Sequence, residues 1–123
     1  MPVNIVNVTT IYGKTAYATP ANTTANVLLA NAASSGKVLK INQIVAANVN
    51  GSAAVTATVA VNSAAAGSGT SYPVASAISV PANASLIVTD KTTAIYLEED
   101  KSIVVTSGTS SGITYTISYE EIN

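Results

Sequence analysis

Residues 37–62 read KVLKINQIVAANVNGSAAVTATVAVN and hold two alternating apolar runs separated by Asn50-Gly51. Asn followed by Gly adopts the positive φ angles of a two-residue β-turn at little steric cost. After Asn50-Gly51, apolar side chains alternate with small or polar ones over residues 55–61. A period of two residues is typical of a half-buried strand. The stretch therefore predicts a β-hairpin that turns at Asn50-Gly51.

The first of the two runs contains an irregularity at Gln43, which has the same parity as the apolar residues around it. One explanation is a β-bulge near Asn42 and Gln43, which would reset the register of the strand. The other is that Gln43 points inwards and has a hydrogen-bonding partner there. Both explanations keep the run as a strand.

The rest of the chain repeats this pattern of short alternating runs between turn residues. We expect an opening strand at residues 3–10 that continues through residues 11–19, with a possible break at Gly13. The low-complexity residues 63–69 predict an exposed loop, and Pro73 places the following run at a sheet edge. Ile113, Tyr115, Ile117 and Tyr119 alternate with polar residues in the last strand.

These runs predict an all-β fold, because no segment shows the three- and four-residue spacing of a capped helix. Eight or nine short strands fit a two-sheet antiparallel sandwich or a jelly roll, built as one domain over residues 1–123. Alanine supplies much of the apolar content, and Phe and Trp are absent. Such a small-residue core favours additional stability from association, and we expect a homo-oligomer.

The composition disfavours several classes of partner. Only 9% of residues are charged, the net charge is -1 and Lys and Arg number five, so we expect no nucleic-acid partner. No apolar run approaches a membrane span, and the N-terminal residues lack the features of a signal peptide. We therefore expect no membrane partner and a soluble product of a cytoplasm.

The chain lacks His and Cys, which removes the commonest general base and the thiol nucleophile. Glu98, Glu99 and Asp100 are consecutive and could hold Ca²⁺ if loop carbonyls completed the oxygen shell. The alternative is a charged turn in which Lys101 keeps a strand end in water. We favour the charged turn, and we expect no enzyme and no catalytic, cofactor-binding or metal-binding residues.

Two further groups have both functional and structural explanations. Glu120 and Glu121 are expected to be charges on an edge strand that prevent strand pairing, and not catalytic carboxylates. Exposed tyrosine rings could stack on sugars, but the alternation of Tyr115 and Tyr119 favours core or interface positions with their hydroxyls at the rim.

Two short motifs carry less weight. Four N-x-S/T sequons are expected to be chance matches, because no secretion signal precedes them; they begin at Asn7, Asn22, Asn50 and Asn83. Gly67 and Gly69 do not form a phosphate-binding loop, since the lysine and the following helix of that motif are missing.

Short turn-and-strand patterns follow one another along nearly the whole chain, namely residues 17–20 (YATP), 48–51 (NVNG), 80–82 (VPA) with Ser85-Leu86, 97–100 (LEED) and 119–122 (YEEI). The order of these patterns resembles small all-β virion proteins of tailed bacteriophages. One departure is Glu99, where such proteins often carry Gly before Asp.

This resemblance implies a non-enzymatic structural protein of the virion, made in the host cytoplasm. The expected role is a capsid decoration protein. Its expected partners are further copies of itself, as a trimer first and a dimer second, and other virion proteins such as the major capsid protein. The alternatives are a neck or tail accessory and a receptor- or carbohydrate-binding module.

Overall fold

Nine strands form two antiparallel sheets in the part of the chain that the computed structural model describes, residues 5–123. The strands are β1 (Ile11–Ala18), β2 (Asn26–Asn31), β3 (Val38–Asn48), β4 (Val55–Asn62), β5 (Ser71–Val80), β6 (Ser85–Thr89), β7 (Ile95–Leu97), β8 (Lys101–Ser107) and β9 (Ile113–Ile122). The five-stranded sheet has the order β1-β9-β3-β6, with β7 also paired to β3, and the four-stranded sheet has the order β2-β8-β4-β5. The predicted all-β sandwich is confirmed.

The strand pairs show that the chain folds as one long hairpin. Antiparallel partners are β1 with β9, β2 with β8, β3 with β6 and β7, and β4 with β5. The hairpin wraps into a sandwich because β3 also pairs with β9 and β4 also pairs with β8. This order is that of a jelly roll, one of the two architectures that the sequence predicts.

The predicted hairpin at Asn50-Gly51 is wrong. The strand before it, β3, belongs to the five-stranded sheet, and the strand after it, β4, belongs to the four-stranded sheet. Gly51 is not among the residues with positive φ. Both runs do bury one face, but an alternating pattern does not tell whether two successive strands share a sheet or face each other across the core.

The predicted strand at residues 3–10 is also wrong within the described residues. Ile5–Asn7 forms a 3₁₀ turn, and all three of its side chains are exposed, so the alternation of this segment does not reflect a buried face. Residues 3 and 4 lie outside the described residues. The strand starts at Ile11 and continues through Gly13 without a break in register.

The bulge explanation for Gln43 is confirmed, and the bulge keeps the inner face of β3 in the core between the two sheets. The pairing of β3 with β9 shifts register between Ile41 and Gln43, so that Ile41 and Ile44 are both fully buried while Gln43 is exposed. The largest fully buried apolar side chains are Tyr115, Ile41, Ile44, Leu97, Ile103, Ile113, Ile117, Val59, Val80 and Val105.

Buried asparagines end three successive strands. Asn31, Asn48 and Asn62 are each at most 4% exposed, and each side chain donates hydrogen bonds to carbonyls of the loop that follows it. The amides of Asn31 and Asn48 also reach carbonyls of other strands, in β7 and β5. These side chains satisfy backbone groups where the sheet ladders stop, which fixes the course of each loop.

The loop at residues 63–70 is folded over the outer face of the four-stranded sheet. Val104 points away from the core, yet it is only 4% exposed. A Cβ on Gly67 would lie 3.3 Å from Val104 and 2.9 Å from Val27, so the loop backbone covers this face. The predicted exposed loop is therefore only partly right, because Ala64, Ala65 and Gly67 are half-buried.

Candidate functional site

The acidic cluster lies in the turn between β7 and β8. The Glu99 carboxylate accepts a hydrogen bond from the Gly36 backbone N–H at 3.0 Å, which lowers the pKa of Glu99 below its ordinary value. Asp100 instead accepts from the Ala65 N–H at 3.4 Å. Among residues 5–123, no group of three acidic side chains is arranged to hold a metal ion. These contacts support the charged-turn interpretation, since the carboxylates tie neighbouring loops together.

Glu120 and Glu121 do not lie on an edge strand, so this prediction is wrong. Their strand, β9, is central and pairs with β1 and β3. Glu121 Oε1 lies 3.2 Å from Lys14 Nζ and 3.4 Å from Lys37 Nζ. Burial raises the pKa of Glu121, but the hydrogen bonds and charges of the two lysines outweigh it and place the pKa below its ordinary value.

Tyr115 and Tyr119 pack in or against the core, as predicted. Tyr115 is fully buried, and its hydroxyl crosses the sandwich to the four-stranded sheet. There it donates to the Thr106 carbonyl at 2.5 Å and accepts from the Thr58 N–H at 3.3 Å. Burial raises the pKa of Tyr115 to about 12. This hydroxyl lies inside the molecule and not at the rim, where we expected it.

The charged side chains are concentrated at one end of the sandwich, which we call the charged end. It includes the start of β1, β3 and β8, the end of β9 and the turn between β7 and β8. Of the five lysines and six acidic residues of the chain, only Asp90 and Lys91 lie elsewhere, on the side between β6 and β7. Residues 41–89 contain no charged side chain.

The opposite end, which we call the loop end, carries no charge. It consists of residues 19–25, 49–54, 81–84 and 108–112. Backbone hydrogen bonds join three of these segments: Ser111 N–H to Pro20 O at 2.8 Å and Val49 N–H to Gly112 O at 3.0 Å. The fourth, residues 81–84, is tied to the end of β3 by Asn48 N–H to Ala84 O at 2.8 Å. The loop end is therefore a connected surface of hydroxyls, amides and small apolar groups.

Three of the sequons lie at the loop end, and the structure gives two of them a conformational role. The Asn22 side-chain oxygen accepts hydrogen bonds from the N–H and the hydroxyl of Thr24. Asn50 makes the same pair of contacts with Ser52. At Asn22 and Asn50, the Asn-x-Ser/Thr sequence thus forms a loop in which the amide side chain replaces a backbone turn. The sequence pattern could have revealed this local structure.

A shallow groove of about 430 Å³ lies beside the bulge in β3. Its lining combines two carboxamides, two hydroxyls, one carboxylate and one ammonium group, from Asn42, Gln43, Asp90, Lys91, Thr92 and Ser118. The Asp90 carboxylate accepts hydrogen bonds from Thr92, which lowers the pKa of Asp90. Periodicity alone could not have placed these residues together, because the groove depends on the bulge and on the 3₁₀ turn Lys91–Thr93.

No protein-family model matches the chain, and no curated protein matches it either. Within residues 5–123, no helix combines the length and the hydrophobicity needed to cross a membrane.

Proposed function

We propose that the protein is a non-enzymatic structural component of a tailed-phage virion, a decoration protein that assembles as a homo-oligomer on the head and contacts the major capsid protein. The observation that carries this proposal is the separation of charge, which leaves a connected and uncharged loop end. The resemblance of the turn-and-strand patterns to phage virion proteins supports it.

The loop end has the properties of a surface for lasting protein contact. The centres of protein interfaces are depleted of charged residues, because each charge must lose its hydration on binding. Hydrogen bonds between the loops reduce the conformational entropy that binding would otherwise remove. A shell of repeated subunits offers many copies of one complementary site, which suits a small rigid subunit of this kind.

The non-enzymatic part of the proposal rests on the available side chains. The chain has neither His nor Cys, so acid–base or nucleophilic chemistry would depend on carboxylates. Two of these, Glu99 and Glu121, are engaged with Gly36 and with two lysines, respectively. They therefore have structural roles.

A co-sedimentation experiment with purified heads and tails tests the proposal. Ser110→Glu and Thr23→Glu each place a charge on exposed positions of the loop end. We expect at least about tenfold weaker binding to heads, the result of about 1.4 kcal/mol lost when a charge enters the contact. The control Ala33→Glu adds the same charge at an exposed position near the charged end, and should bind within about twofold of the parent.

Binding to tails alone would replace the head assignment with the neck or tail accessory. Equal effects of Ser110→Glu and Ala33→Glu would remove the loop end as the contact surface. A protein that sediments with neither particle would overturn the structural role.

The side chains around the groove beside β3 favour a second candidate function, a carbohydrate-binding module. Carboxamides, hydroxyls and a carboxylate are the groups that hydrogen-bond sugar hydroxyls, and the groove brings them together over about 430 Å³. A glycan array tests this function, with Gln43→Ala as the variant expected to lose the signal and Ser79→Ala, on β5, as the control. The absence of any glycan signal for the parent protein would exclude it.

A further inference from the structure

The four sheet edges of the sandwich differ in how well they are protected against pairing with another strand. Natural sheets block their edges with proline, bulges, interruptions, short strands or charged side chains, lysine above all. In the described residues, β5 contains Pro73 and two register shifts, and β2 is six residues long with one shift. The edge opposite β1 in the five-stranded sheet is divided between β6 and β7, which are separated by a 3₁₀ turn.

Of these devices, the β1 edge has only one charged side chain, Lys14. All eight residues from Ile11 to Ala18 pair with β9 in an unbroken register. Within residues 5–123, β9 is the only strand that pairs with β1, so the other side of β1 is open. The strand exposes large apolar side chains, with Ile11 59%, Tyr12 52% and Tyr17 76% exposed. Its one charged residue, Lys14, is engaged by Glu121.

From this contrast we infer that two copies of the chain pair through their β1 strands, antiparallel and about a two-fold axis at Thr15, to join their five-stranded sheets. This inference rests on the homo-oligomeric part of the proposed function and names the surface that produces it. A two-fold contact gives a dimer, the second of the two oligomeric states expected from the sequence.

The sequence of β1 is complementary to itself in this register. Gly13 would lie opposite Tyr17 of the second copy, and both residues are on the outer face, because they pair with Glu120 and Thr116 of β9. The position of a Cβ on Gly13 has no atom within 4 Å, so the space above the glycine is free for the tyrosine ring. Aromatic side chains stabilise edge glycines in this cross-strand arrangement.

Charge selects against the neighbouring register. A two-fold axis at Lys14 would place two ammonium groups directly opposite each other, which is destabilising. With the axis at Thr15, Lys14 lies opposite Ala16 of the second copy and keeps its contact with Glu121. Charge therefore excludes the axis at Lys14, and the pairing of Gly13 with Tyr17 favours the axis at Thr15.

The test uses charge at the proposed axis. We expect the parent protein to have about twice the 12.3 kDa mass of the chain in sedimentation equilibrium. Thr15→Glu and Thr15→Lys should each be monomeric. A residue on the axis lies opposite the same residue of the second copy, so each variant would place two like charges together. An equimolar mixture of the two variants should recover the dimer. Ser79→Glu, on the protected β5 edge, is the matched control and should remain dimeric.

A cysteine variant provides a second measurement. The chain has no cysteine, so Thr15→Cys introduces a single thiol at the axis. Mild oxidation should cross-link most of Thr15→Cys as a dimer and little of Ser79→Cys. A parent protein that is monomeric at all concentrations, or a dimer that Thr15→Glu leaves intact, would overturn the β1 contact. A monomer that still binds heads would overturn the β1 contact and leave the decoration role standing. A Thr15-dependent dimer that binds no particle would support the β1 contact and overturn the decoration role.

Discussion

Two connections of the chain, residues 49–54 and residues 63–70, differ from what their local sequence signals indicate. The first contains Asn-Gly, the strongest two-residue hairpin signal, yet it crosses from one sheet to the other at the loop end. The second is rich in Ala, Ser and Gly, yet it closes the β4–β5 hairpin at the charged end. The long hairpin of the jelly roll therefore turns at the segment with the weaker local signal.

A buried asparagine holds the start of each connection, Asn48 for residues 49–54 and Asn62 for residues 63–70, and the difference lies in the contacts of the loop that follows. The side chain of Asn62 holds residues 63–70 through bonds to both sides of the loop, and Gly67 lies against Val27 and Val104. Residues 51–54 are exposed, and a Cβ on Gly51 would meet only the Asn83 side chain, at 3.9 Å or more. Tertiary contact, and not turn propensity, therefore determines which connection is structurally demanding.

The largest expected effect concerns the two asparagines. Asn62→Ala removes hydrogen bonds to Ala64, Gly67 and Gly69, and should destabilise the fold by about 2–4 kcal/mol, because buried backbone groups lose their partners. Asn50→Ala removes only contacts to exposed Ser52 and should cost less than about 1 kcal/mol. Urea unfolding measures both values. Equal destabilisation would mean that Asn50 anchors its connection as strongly as Asn62 does.

A glycine pair tests the backbone difference next. Gly67→Val combines a φ of +75° with a contact of 2.9 Å, and should cost about 2–3 kcal/mol. Gly51→Val should cost less than about 0.5 kcal/mol, because its backbone lies outside the left-handed region and the site is open. Thermal unfolding of the two variants gives the comparison. A larger loss for Gly51→Val would restore the turn that the sequence predicted.

Much of the fold was predictable because burial has a simple period. The β4 strand and the β9 strand bury the residues that their alternation indicates, including Val59 and Ile117. The bulge at Gln43 was also visible as a break in parity. Sheet membership was not predictable, since Val55 and Ile44 face the same core from opposite sheets. The groove and the β1 edge were hidden for the same reason, because both depend on which strands are neighbours.

A smaller effect is expected from one serine at each connection. Ser102, on β8, contacts residues 63–70, and Ser52 lies within residues 49–54. The Ser102 hydroxyl is fully buried and donates to the Ala64 carbonyl at 2.7 Å, so Ser102→Ala should cost about 1 kcal/mol. Ser52→Ala loses an exposed contact to Asn50 and should change stability by less than about 0.5 kcal/mol. Amide hydrogen exchange provides a local check, since Ser102→Ala should speed exchange of the Ser63 N–H, which donates to Thr70 O. Unchanged exchange there would show that Ser102 does not hold the loop.

The smallest expected effect is a difference in how the charged end and the loop end respond to acid. The pKa of Glu121 in the folded protein lies below its ordinary value of 4.5, so its ion pairs contribute stability above that pH and lose it as the pH falls through the folded value. We expect Glu121→Gln to remove less than about 1 kcal/mol of the stability difference between about pH 6 and pH 3, because the pair is near the surface. After correction for intrinsic rates, acid should speed exchange of the Thr10 N–H, which donates to the Asn123 carbonyl at the charged end. Exchange of the Val49 and Ser111 amides at the uncharged loop end should follow global stability alone. If acid loosened both ends equally in the parent and in Glu121→Gln, the separation of charge would have no local energetic consequence.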